Sequence, residues 1–488
     1  MRYCSILQNK KRMIATLLIV VMAWTSLSGC GGSAEDAVQR EPFTGTVTYE
    51  NLAKYLKDNA EQDTVTCWYT SDTDREWIEK EAQNFEKEYG FKVDLVYYDG
   101  VNLFQDMNQE NQNGNGPDVY LAGNDQLELA RDSGMAEENI WFDDTFWQEQ
   151  YPDVAKKAVT YRDKQYGYPI YFDTYCLVYD ANLLSNAPAS IDDILTFLDE
   201  YEDTGSTKAI FRWDVADPYI NTMFVAAYAD LFGENGDDSS SFCINDDKSV
   251  AAMEYFQSLS QYLWMNKNNI SHDTVRNRIK DETLVLGLCK SDILPTLYEM
   301  QKENATETQE EVKPDAESPD SDENAEETDD EKENVADAGS EETGDDETSE
   351  TGQDGTQTNY QISYVPSLTA ELASKTLSTT YVAFVNPYGR DTVLGNLFGM
   401  YLSYNGAERQ YNGNGKLPVR GDSSNMDEMQ SIIYAQYINS KPVPKVMILG
   451  DYLTQSGITF DAIWKGEDAK EQLDRLQTIM EDILPTNK

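Results

Sequence analysis

The stretch that decides the fold is residues 64–98, which reads TVTCWYTSDTDREWIEKEAQNFEKEYGFKVDLVYY. Residues 65–69 are rich in β-branched and aromatic side chains and predict a strand. Arg75–Tyr89 predicts an amphipathic helix because its apolar residues return at helical spacing, and Gly90 ends it. Residues 91–98 predict the next strand. A strand, a helix and a strand in this order indicate a right-handed crossover and a parallel sheet, and therefore an α/β fold.

A series of short motifs extends outward from this unit in a particular order. Each motif is common by itself, and the order and spacing carry the information. Polar residues follow several of the predicted strands, where α/β proteins bind their ligands. The motifs are Gly116-Pro117-Asp118-Val119-Tyr120, Asn124-Asp125, Ser133-Gly134-Met135, residues 166–173, residues 175–184, the helix start at 188–195, residues 279–287, Tyr364-Val365-Pro366, residues 415–419 and residues 464–470.

In this order and spacing the chain resembles the extracellular solute-binding proteins of ABC transporters, in the group (family 1) that includes maltose-binding protein. The resemblance covers nearly all of residues 64–484. It implies a two-lobed periplasmic-binding-protein-like fold of class II, with a hinge and a ligand cleft between the lobes. Chain crossings are expected near residues 171–176, 375–381 and 418–424, so that neither lobe is contiguous. Lobe 1 would take residues 64–172 and about 380–420, and lobe 2 residues 173–379 and about 421–488.

Three carboxylates are candidates for binding a ligand in that cleft. Asp72 follows the first strand and Asp125 follows the Pro-Asp-Val strand, and the resemblance places both at positions that bind sugar hydroxyls in maltose-binding proteins. Asp173, at the first crossing, matches another acidic ligand-binding position. Carboxylates suit this task because each accepts hydrogen bonds from two neighbouring hydroxyls. The alternative for each of them is a helix cap or a loop carboxylate.

Aromatic side chains are the second class of candidates. Tyr219, in Asp217-Pro218-Tyr219, matches a Pro-Tyr pair whose ring stacks on sugar in the resembled family, and flat aromatic faces suit the C–H faces of pyranoses. Trp213 and Tyr452 are candidates for a second and a third stacking ring, with a place in the core as the alternative. The family often has Gly-Pro-Trp after the strand that ends here at Gly287. This chain has Leu-Cys-Lys-Ser instead and so lacks a common stacking position.

The N-terminus predicts export and lipid attachment. A basic start is followed by an apolar run over residues 13–27 and by Leu27-Ser28-Gly29-Cys30. Residues 1–29 therefore predict a lipoprotein signal peptide, with Cys30 as the lipidated residue, and residues 30–60 predict a tether. The alternative is an uncleaved membrane anchor. We expect the mature chain on the outer face of the cell membrane, held there by the lipid on Cys30.

Composition excludes several classes of function. The formal charge of −50 excludes ordinary nucleic-acid binding and argues against direct adhesion to anionic lipid. His272 is the only histidine, so a site with several histidines for zinc or iron is not possible, and we expect no metal and no cofactor. The four cysteines expected in the folded part, Cys67, Cys176, Cys243 and Cys289, show no Cys-x-x-Cys spacing, and spacing alone does not pair them.

Residues 301–358 differ from the rest of the chain, with 23 acidic residues against three lysines. This acidic insertion, placed within lobe 2, cannot bury enough apolar surface to fold alone and is predicted to be a disordered, solvated loop. A weak reservoir for divalent cations is the alternative. The segment lacks the regular loop that would fix calcium geometry.

Together these features predict a substrate-binding lipoprotein of an ABC importer. It would bind a small solute, most simply an oligosaccharide, by hinge closure, and deliver it as a monomer to the permease subunits in the membrane. Acidic and aromatic residues also fit polyamines or other cationic solutes. An exported glycosidase is the alternative from another class, although no spacing singles out a catalytic pair of carboxylates, and we expect no catalytic residues. A further alternative is a protein that also signals to a membrane sensor kinase.

Overall fold

The structure is a computed structural model that describes residues 43–201, 208–266, 268–311, 358–421 and 425–484. The predicted signal peptide, residues 1–29, and the predicted lipidation site, Cys30, lie outside these ranges. The chain divides into two units, Met1–Thr46 and Val47–Lys488, and the following description concerns the second. Over the described residues, we find no helix with the length and apolar character needed to cross a bilayer.

Strands and helices alternate through much of the second unit. The strands are β1 (Thr64–Tyr69), β2 (Lys92–Tyr97), β3 (Val119–Gly123), β4 (Thr160–Tyr161), β5 (Lys164–Gln165), β6 (Tyr168–Asp173), β7 (Tyr175–Asp180), β8 (Ala209–Arg212), β9 (Asp230–Leu231), β10 (Phe242–Cys243), β11 (Leu284–Lys290), β12 (Tyr360–Ser363), β13 (Leu377–Val385), β14 (Leu417–Pro418) and β15 (Lys441–Pro442). The helices are α1 (Tyr49–Asn59), α2 (Arg75–Tyr89), α3 (Leu103–Asn113), α4 (Leu127–Asp132), α5 (Asp144–Gln150), α6 (Asp153–Val159), α7 (Ile191–Glu200), α8 (Pro218–Asn221), α9 (Asp247–Leu259), α10 (His272–Lys280), α11 (Leu294–Glu311), α12 (Thr392–Tyr404), α13 (Gln410–Asn414), α14 (Glu428–Ile438), α15 (Leu449–Trp464) and α16 (Ala469–Ile483).

The larger sheet has seven strands. Its main path runs β14–β6–β13–β3–β1–β2, and β15 pairs with the start of β13. β1 is parallel to both β2 and β3, which confirms the predicted strand–helix–strand unit. β13 lies between β3 and β6 and is antiparallel to both. α12 is buried along most of its length and packs on β6 and β13. We call the body built on this sheet lobe 1.

The smaller sheet has four strands in the order β12–β7–β11–β8. β7 is antiparallel to both β12 and β11, and β11 is parallel to β8. α10 packs against β11 and α14 against β12 and β7, while α9, α15 and α16 pack against one another. We call the body built on this sheet lobe 2.

The chain passes between the two sheets near the predicted positions. β6 ends at Asp173 and β7 begins at Tyr175, so a single residue, Thr174, connects the sheets. The chain returns between β12 and β13. After β14 it leads to α14 in lobe 2, and then β15 rejoins the larger sheet, whereas the sequence assigned all of 421–488 to lobe 2. The reason is that the first residues of β13 have backbone groups left to pair, and β15 satisfies them.

Two boundaries differ from the sequence prediction. The tether was predicted to run to residue 60, yet α1 packs against α12, and the ring of Tyr49 stacks on that of Tyr404 with centroids 4.3 Å apart. The apolar face of α1 buries Tyr49, Leu52 and Leu56, so the folded body extends to about residue 49. α11 continues to Glu311, so the first part of the predicted disordered insertion is helical. Residues 312–357 of that insertion lie outside the described residues.

Candidate ligand-binding site

A cavity of about 270 Å³ lies where the chain passes between the two sheets. Its walls come from the end of β6, the start of β7, the end of β11, the first half of β13 and the residues around the start of α8. Sites for small molecules in α/β proteins form at strand ends, because loops and side chains converge there without interrupting the sheet. The lining residues are Asp173, Thr174, Tyr175, Asp217, Tyr219, Lys290, Leu377, Thr379 and Tyr381.

Tyrosine rings give the cavity its flat apolar surfaces. Tyr381 stacks on the buried ring of Tyr171, with centroids 4.5 Å apart and an interplanar angle of 23°. The hydroxyl oxygen of Tyr219 lies 2.8 Å from that of Thr379, within hydrogen-bonding distance. The rings of Tyr219 and Tyr381 are only partly covered by protein. They are therefore fixed in place and still present surface to a ligand.

Asp217 holds Tyr219 and α8 in position. One carboxylate oxygen accepts the backbone N–H of Tyr219 at 2.8 Å and so caps α8, which begins with Pro218. The other oxygen lies 2.5 Å from Nε2 of His272 and accepts a hydrogen bond from the hydroxyl of Tyr175 at 3.4 Å. Burial opposes ionisation of this group, but the hydrogen bonds from His272 and the Tyr219 N–H outweigh it and lower the pKa of Asp217. Asp217 is thus a charged anchor for two of the cavity tyrosines.

Asp173 has a lysine as its ion-pair partner. Nζ of Lys416 lies 2.7 Å from its Oδ1, and the hydroxyl of Ser291 donates to the same oxygen at 3.4 Å. Lys290, the last residue of β11, contributes an ammonium group to the cavity wall. Both cavity carboxylates therefore have positively charged or hydrogen-bond-donating partners within the protein.

A buried carboxylate supports the aromatic wall from behind. Asp74 accepts a hydrogen bond from the hydroxyl of Tyr171 at 2.7 Å and another from the side-chain amide of Asn414 at 2.8 Å. Burial raises the pKa of Asp74, and these two hydrogen bonds oppose the rise. Because the ring of Tyr381 stacks on that of Tyr171, Asp74 helps to position Tyr381 through Tyr171, although Asp74 itself does not line the cavity.

The structure places two of the six predicted ligand-binding residues, Asp173 and Tyr219, in the cavity wall. Asp125 is half-buried beside the cavity. Burial raises the pKa of the Tyr381 phenol, and the negative charges of Asp173 and Asp125 add to that rise. Burial also raises the pKa of Asp125 itself, against the hydrogen bond that the amide of Gln126 donates to it at 2.7 Å.

The other three predicted residues do not line the cavity. Asp72 is exposed and pairs with Arg75, with 2.8 Å between Nη2 and Oδ1. Trp213 and Tyr452 are completely buried. Both rings belong to the core of lobe 2, which is the alternative that the sequence analysis gave for them, and neither presents a face to the cavity. Aromatic neighbours cover them, Trp464 against Trp213 and Phe232 against Tyr452.

Several lining residues were not singled out from the sequence. Thr379 and Tyr381 belong to the predicted second crossing and Tyr175 to the first, so the crossing segments themselves were the available signal. Lys290, the last residue of β11, stands in the Leu-Cys-Lys-Ser stretch where the sequence showed the loss of a common stacking position. Asp217 stands in the quoted Asp-Pro-Tyr motif, and its role depends on His272, which no spacing connects to it.

Chemically, the cavity offers aromatic faces, hydroxyls and charged groups, and so suits a polar ligand with apolar faces of its own. Within the described ranges, no group of three or more His, Cys, Asp and Glu residues is placed to hold a metal ion.

The sequence matches a known family over nearly half of its length. Residues 80–305 match the family described as bacterial extracellular solute-binding protein. The chain is 26% identical over 216 residues to the maltodextrin-binding protein of Bacillus subtilis, which is 42% of this chain and 50% of the relative. It is 26% identical over 250 residues to a maltooligosaccharide ABC transporter solute-binding lipoprotein of Streptococcus pneumoniae, which is 50% of this chain and 54% of the relative. The chain thus spans about half the length of the curated relatives it matches.

Solved structures show the same fold over most of the chain. A cyclo/maltodextrin-binding protein complexed with maltotetraose aligns with a TM-score of 0.67 at 16% identity, covering 88% of this chain and 99% of that one. The extracellular solute-binding protein from Staphylococcus aureus in complex with maltose aligns with a TM-score of 0.65 at 17% identity, covering 87% and 98%. The relatives are named as binding proteins, not as enzymes. Residues 80–305 are thus similar in sequence to the bacterial extracellular solute-binding proteins, and the chain has the two-lobed fold of maltose-binding proteins.

Proposed function

We propose that this chain is the cell-surface substrate-binding lipoprotein of an ABC importer and that it captures an oligosaccharide between its lobes. The observation that carries the proposal is the cavity at the passages between the two sheets, in which tyrosine faces and hydrogen-bonding groups occur together. The family match and the names of the relatives support it. A ligand that contacts both lobes stabilises the closed arrangement, and the permease would recognise that arrangement.

We assign the ligand contacts to both lobes. Tyr381 and Thr379 come from β13 of lobe 1, while Tyr175, Tyr219 and Lys290 come from lobe 2. The tyrosine rings would stack on the C–H faces of sugar rings. The hydroxyl, carboxylate and ammonium groups would exchange hydrogen bonds with sugar hydroxyls, with Asp173 and Asp125 as acceptors.

The partners of the carboxylates favour a neutral polyhydroxylated ligand over a polyamine. Asp173 already has Lys416 at 2.7 Å, and Asp217 has His272 at 2.5 Å. A cationic ligand would have to displace these groups and would also meet the ammonium group of Lys290 in the wall. A sugar needs only to share the hydrogen bonds, because a carboxylate accepts several donors at once.

We further propose that the exported chain is anchored through lipid on Cys30. The sequence of residues 27–30 supports this proposal, as does the word lipoprotein in the names of two relatives. A Cys30→Ser variant, expressed in a bacterium that processes lipoproteins, is expected to leave the membrane fraction. Retention of the variant in the membrane at the wild-type level would contradict lipid anchoring and favour an uncleaved apolar anchor.

The direct test of ligand class is the thermal melting of the chain with maltose, maltotriose, maltotetraose and spermidine in separate samples. A ligand present at about 100 times its dissociation constant stabilises the native state by about 2.7 kcal/mol, which is a visible shift of the melting temperature. We expect a shift with at least one of the sugars and none with spermidine.

The control variants are Tyr219→Ala and Tyr262→Ala. Tyr262 is half exposed on lobe 2 and does not line the cavity. A sugar-induced shift that is lost in Tyr219→Ala and kept in Tyr262→Ala would establish both the ligand class and the cavity. A shift with spermidine alone would assign the cavity to cationic solutes, and an equal shift in both variants would move the ligand elsewhere.

A further inference from the structure

Two cysteines face each other beneath one wall of the cavity. Cys176 in β7 and Cys289 in β11 are direct partners in the antiparallel register of the smaller sheet. Residues directly opposed in an antiparallel pair have Cα atoms about 4.5–5.5 Å apart and side chains on the same face. Disulfides span Cα separations of about 4.4–6.8 Å. The backbone therefore already meets the requirement for a bond between these two residues.

The two side chains share a closed environment. A Cβ atom built on Gly287, two residues before Cys289 and hence on the same face of β11, would lie 3.1 Å from Val275 and 3.3 Å from Ile279 of α10. This face of the sheet is therefore covered by α10, and both thiols are buried. The two thiols are therefore enclosed by protein on this face of the sheet.

We propose that Cys176 and Cys289 form a disulfide in the exported chain, which makes this pair a covalent modification site at the base of the cavity. In the structure both are free thiols. An exported chain meets an oxidising environment, where disulfides persist. The inference depends on the register of the sheet and on export, and does not depend on which ligand the cavity holds.

The chemistry is a pair of thiol–disulfide exchanges with a protein or small-molecule disulfide as the oxidant. The thiolate of one cysteine attacks the oxidant and forms a mixed disulfide, which releases one thiolate of the oxidant. The second cysteine then attacks the sulfur of the first and releases the other. The two cysteines lose two protons and two electrons in total, and the oxidant disulfide is reduced to two thiols.

Timing follows from burial. The thiolate is the reactive species, and burial raises the pKa of both cysteines. The charge of Cys289 adds to the rise at Cys176, and the charge of Asp292 adds to the rise at Cys289. The folded, reduced protein should therefore resist oxidation. The bond is expected to form while the chain folds, before α10 covers the sheet.

The remaining described cysteines offer no comparable pair. Cys67 lies in β1 of lobe 1 and has Leu95 and Val119 as its register partners. Cys243 is exposed in the two-stranded ribbon of β9 and β10, opposite Asp230. Cys243 is therefore a matched control, because it is accessible to oxidants and has no partner thiol in register.

The disulfide would fix two cavity residues. Tyr175 precedes Cys176 and Lys290 follows Cys289, and these two are themselves register partners that line the cavity. A covalent bond one residue away holds their strands together. The part of the cavity wall that Tyr175 and Lys290 form in lobe 2 would then keep its geometry when the lobes open.

The test is to map the cysteines of the full chain after refolding. The chain is unfolded and reduced, refolded with a mixture of reduced and oxidised glutathione, alkylated in denaturant and digested with trypsin. Cys176 then lies in the peptide 165–208 and Cys289 in the peptide 281–290. We expect these two peptides joined, lighter by two hydrogen atoms than their sum, and a melting temperature several degrees above that of the reduced chain.

Variants separate the proposal from incidental oxidation. Cys243→Ser should keep the linked peptides, and Cys176→Ala should leave Cys289 fully alkylated. The wild-type mapping needs no variant to fold. Alkylation of both Cys176 and Cys289 in the refolded wild type would overturn the proposal, as would a bond from either of them to Cys243 or Cys67. Adding oxidised glutathione to chain that is already folded and reduced should produce the link far more slowly.

Discussion

The side chain of Tyr219 meets that of Thr379, with 2.8 Å between the two hydroxyl oxygens. Tyr219 belongs to α8 of lobe 2, and Thr379 belongs to β13 of lobe 1. The contact therefore joins the two lobes inside the cavity, next to the surface that a ligand would occupy. A substitution of Tyr219 should therefore affect both the proposed ligand binding and the contact between the lobes.

Substitutions at Tyr219 should separate the ring from its hydroxyl. Tyr219→Ala removes the stacking face and is expected to weaken oligosaccharide binding by about 2 kcal/mol, or roughly 30-fold. Tyr219→Phe keeps the face, loses the contact with Thr379 and should cost about 1 kcal/mol, or roughly fivefold. Titration calorimetry measures both. Equal losses in the two variants would show that the hydroxyl, and not the ring face, dominates.

Asp217 should stabilise the fold at neutral pH and lose that effect in acid. Its pKa in the folded protein lies below the ordinary value of 3.8, because hydrogen bonds from His272 and the Tyr219 N–H outweigh burial. The contribution is therefore present above pH about 4 and disappears as the pH falls through the lower folded value. Urea unfolding at about pH 6 and about pH 3 should show a smaller acid-induced loss in Asp217→Asn than in the wild type.

A carboxylate on the surface of α10 provides the comparison for Asp217. Asp273 is 85% exposed. Asp273→Asn should follow the wild type at both pH values, because solvent screens its interactions. If Asp217→Asn loses as much stability in acid as the wild type does, the hydrogen bonds do not lower the pKa of Asp217 as described.

Asp125 should show the opposite pH dependence. Burial raises its folded pKa above the ordinary value of 3.8, so its contribution favours folding at low pH and opposes folding as the pH rises through the folded pKa. Asp125→Asn is therefore expected to raise the free energy of unfolding at neutral pH and to weaken sugar binding at the same time. Urea unfolding and calorimetry on one preparation test both effects, and a loss of stability at neutral pH would contradict the assignment.

The ion pair of Arg409 with Glu81 should matter for stability far more than a surface pair. Glu81 is buried and accepts hydrogen bonds from Nε of Arg409 at 2.7 Å and from the hydroxyl of Tyr401 at 2.9 Å. Arg409→Ala leaves this carboxylate without its cation and should cost about 3 kcal/mol in urea unfolding. Arg75→Ala breaks the exposed pair with Asp72 and should leave the free energy of unfolding close to that of the wild type. Similar losses in both would refute the distinction.

Deletion of residues 312–357 should leave the fold intact. The segment is acidic throughout. On one side of it α11 ends at Glu311, and on the other side Thr358 precedes β12 and donates a hydrogen bond from its hydroxyl to Glu282 at 2.7 Å. Replacing the segment with a short glycine–serine linker changes the loop-closure cost by only about 1 kcal/mol. Loss of soluble expression, or a large fall in melting temperature, would assign the segment a structural role.

The strand–helix–strand unit was predictable because its signals are local. The spacing of Trp77, Ile78, Ala82 and Phe85 fixes the buried face of α2, and a left-handed Gly90 ends the helix. The positions of the passages between the sheets came from the order of motifs. Asp173 follows from the first of these passages, since the residues at a crossing lie next to the space between the lobes, whereas Tyr219 came from the match of its Pro-Tyr pair to the resembled family.

The rest of the site depends on contacts between distant parts of the chain. Asp72 and Asp74 lie two residues apart, and only Asp74 turns inward, because it accepts hydrogen bonds from Tyr171 and Asn414. These two partners are 97 and 340 residues away in the sequence. In the sequence Trp213 is a candidate stacking ring, but in the structure it packs against Trp464, which comes from a helix near the C-terminus. No local pattern reports such partners.

The position of β13 has a consequence for how the chain is made. It is the central strand of the larger sheet, between β3 and β6, yet it follows every strand of the smaller sheet in sequence. If the chain is exported with its N-terminus first, as proposed above, the central position of the larger sheet cannot be filled until residue 385 has emerged, and β14 and β15 follow later still. Non-local pairing of this kind delays folding, which would keep an exported chain unfolded for long enough to cross the membrane before its structure closes.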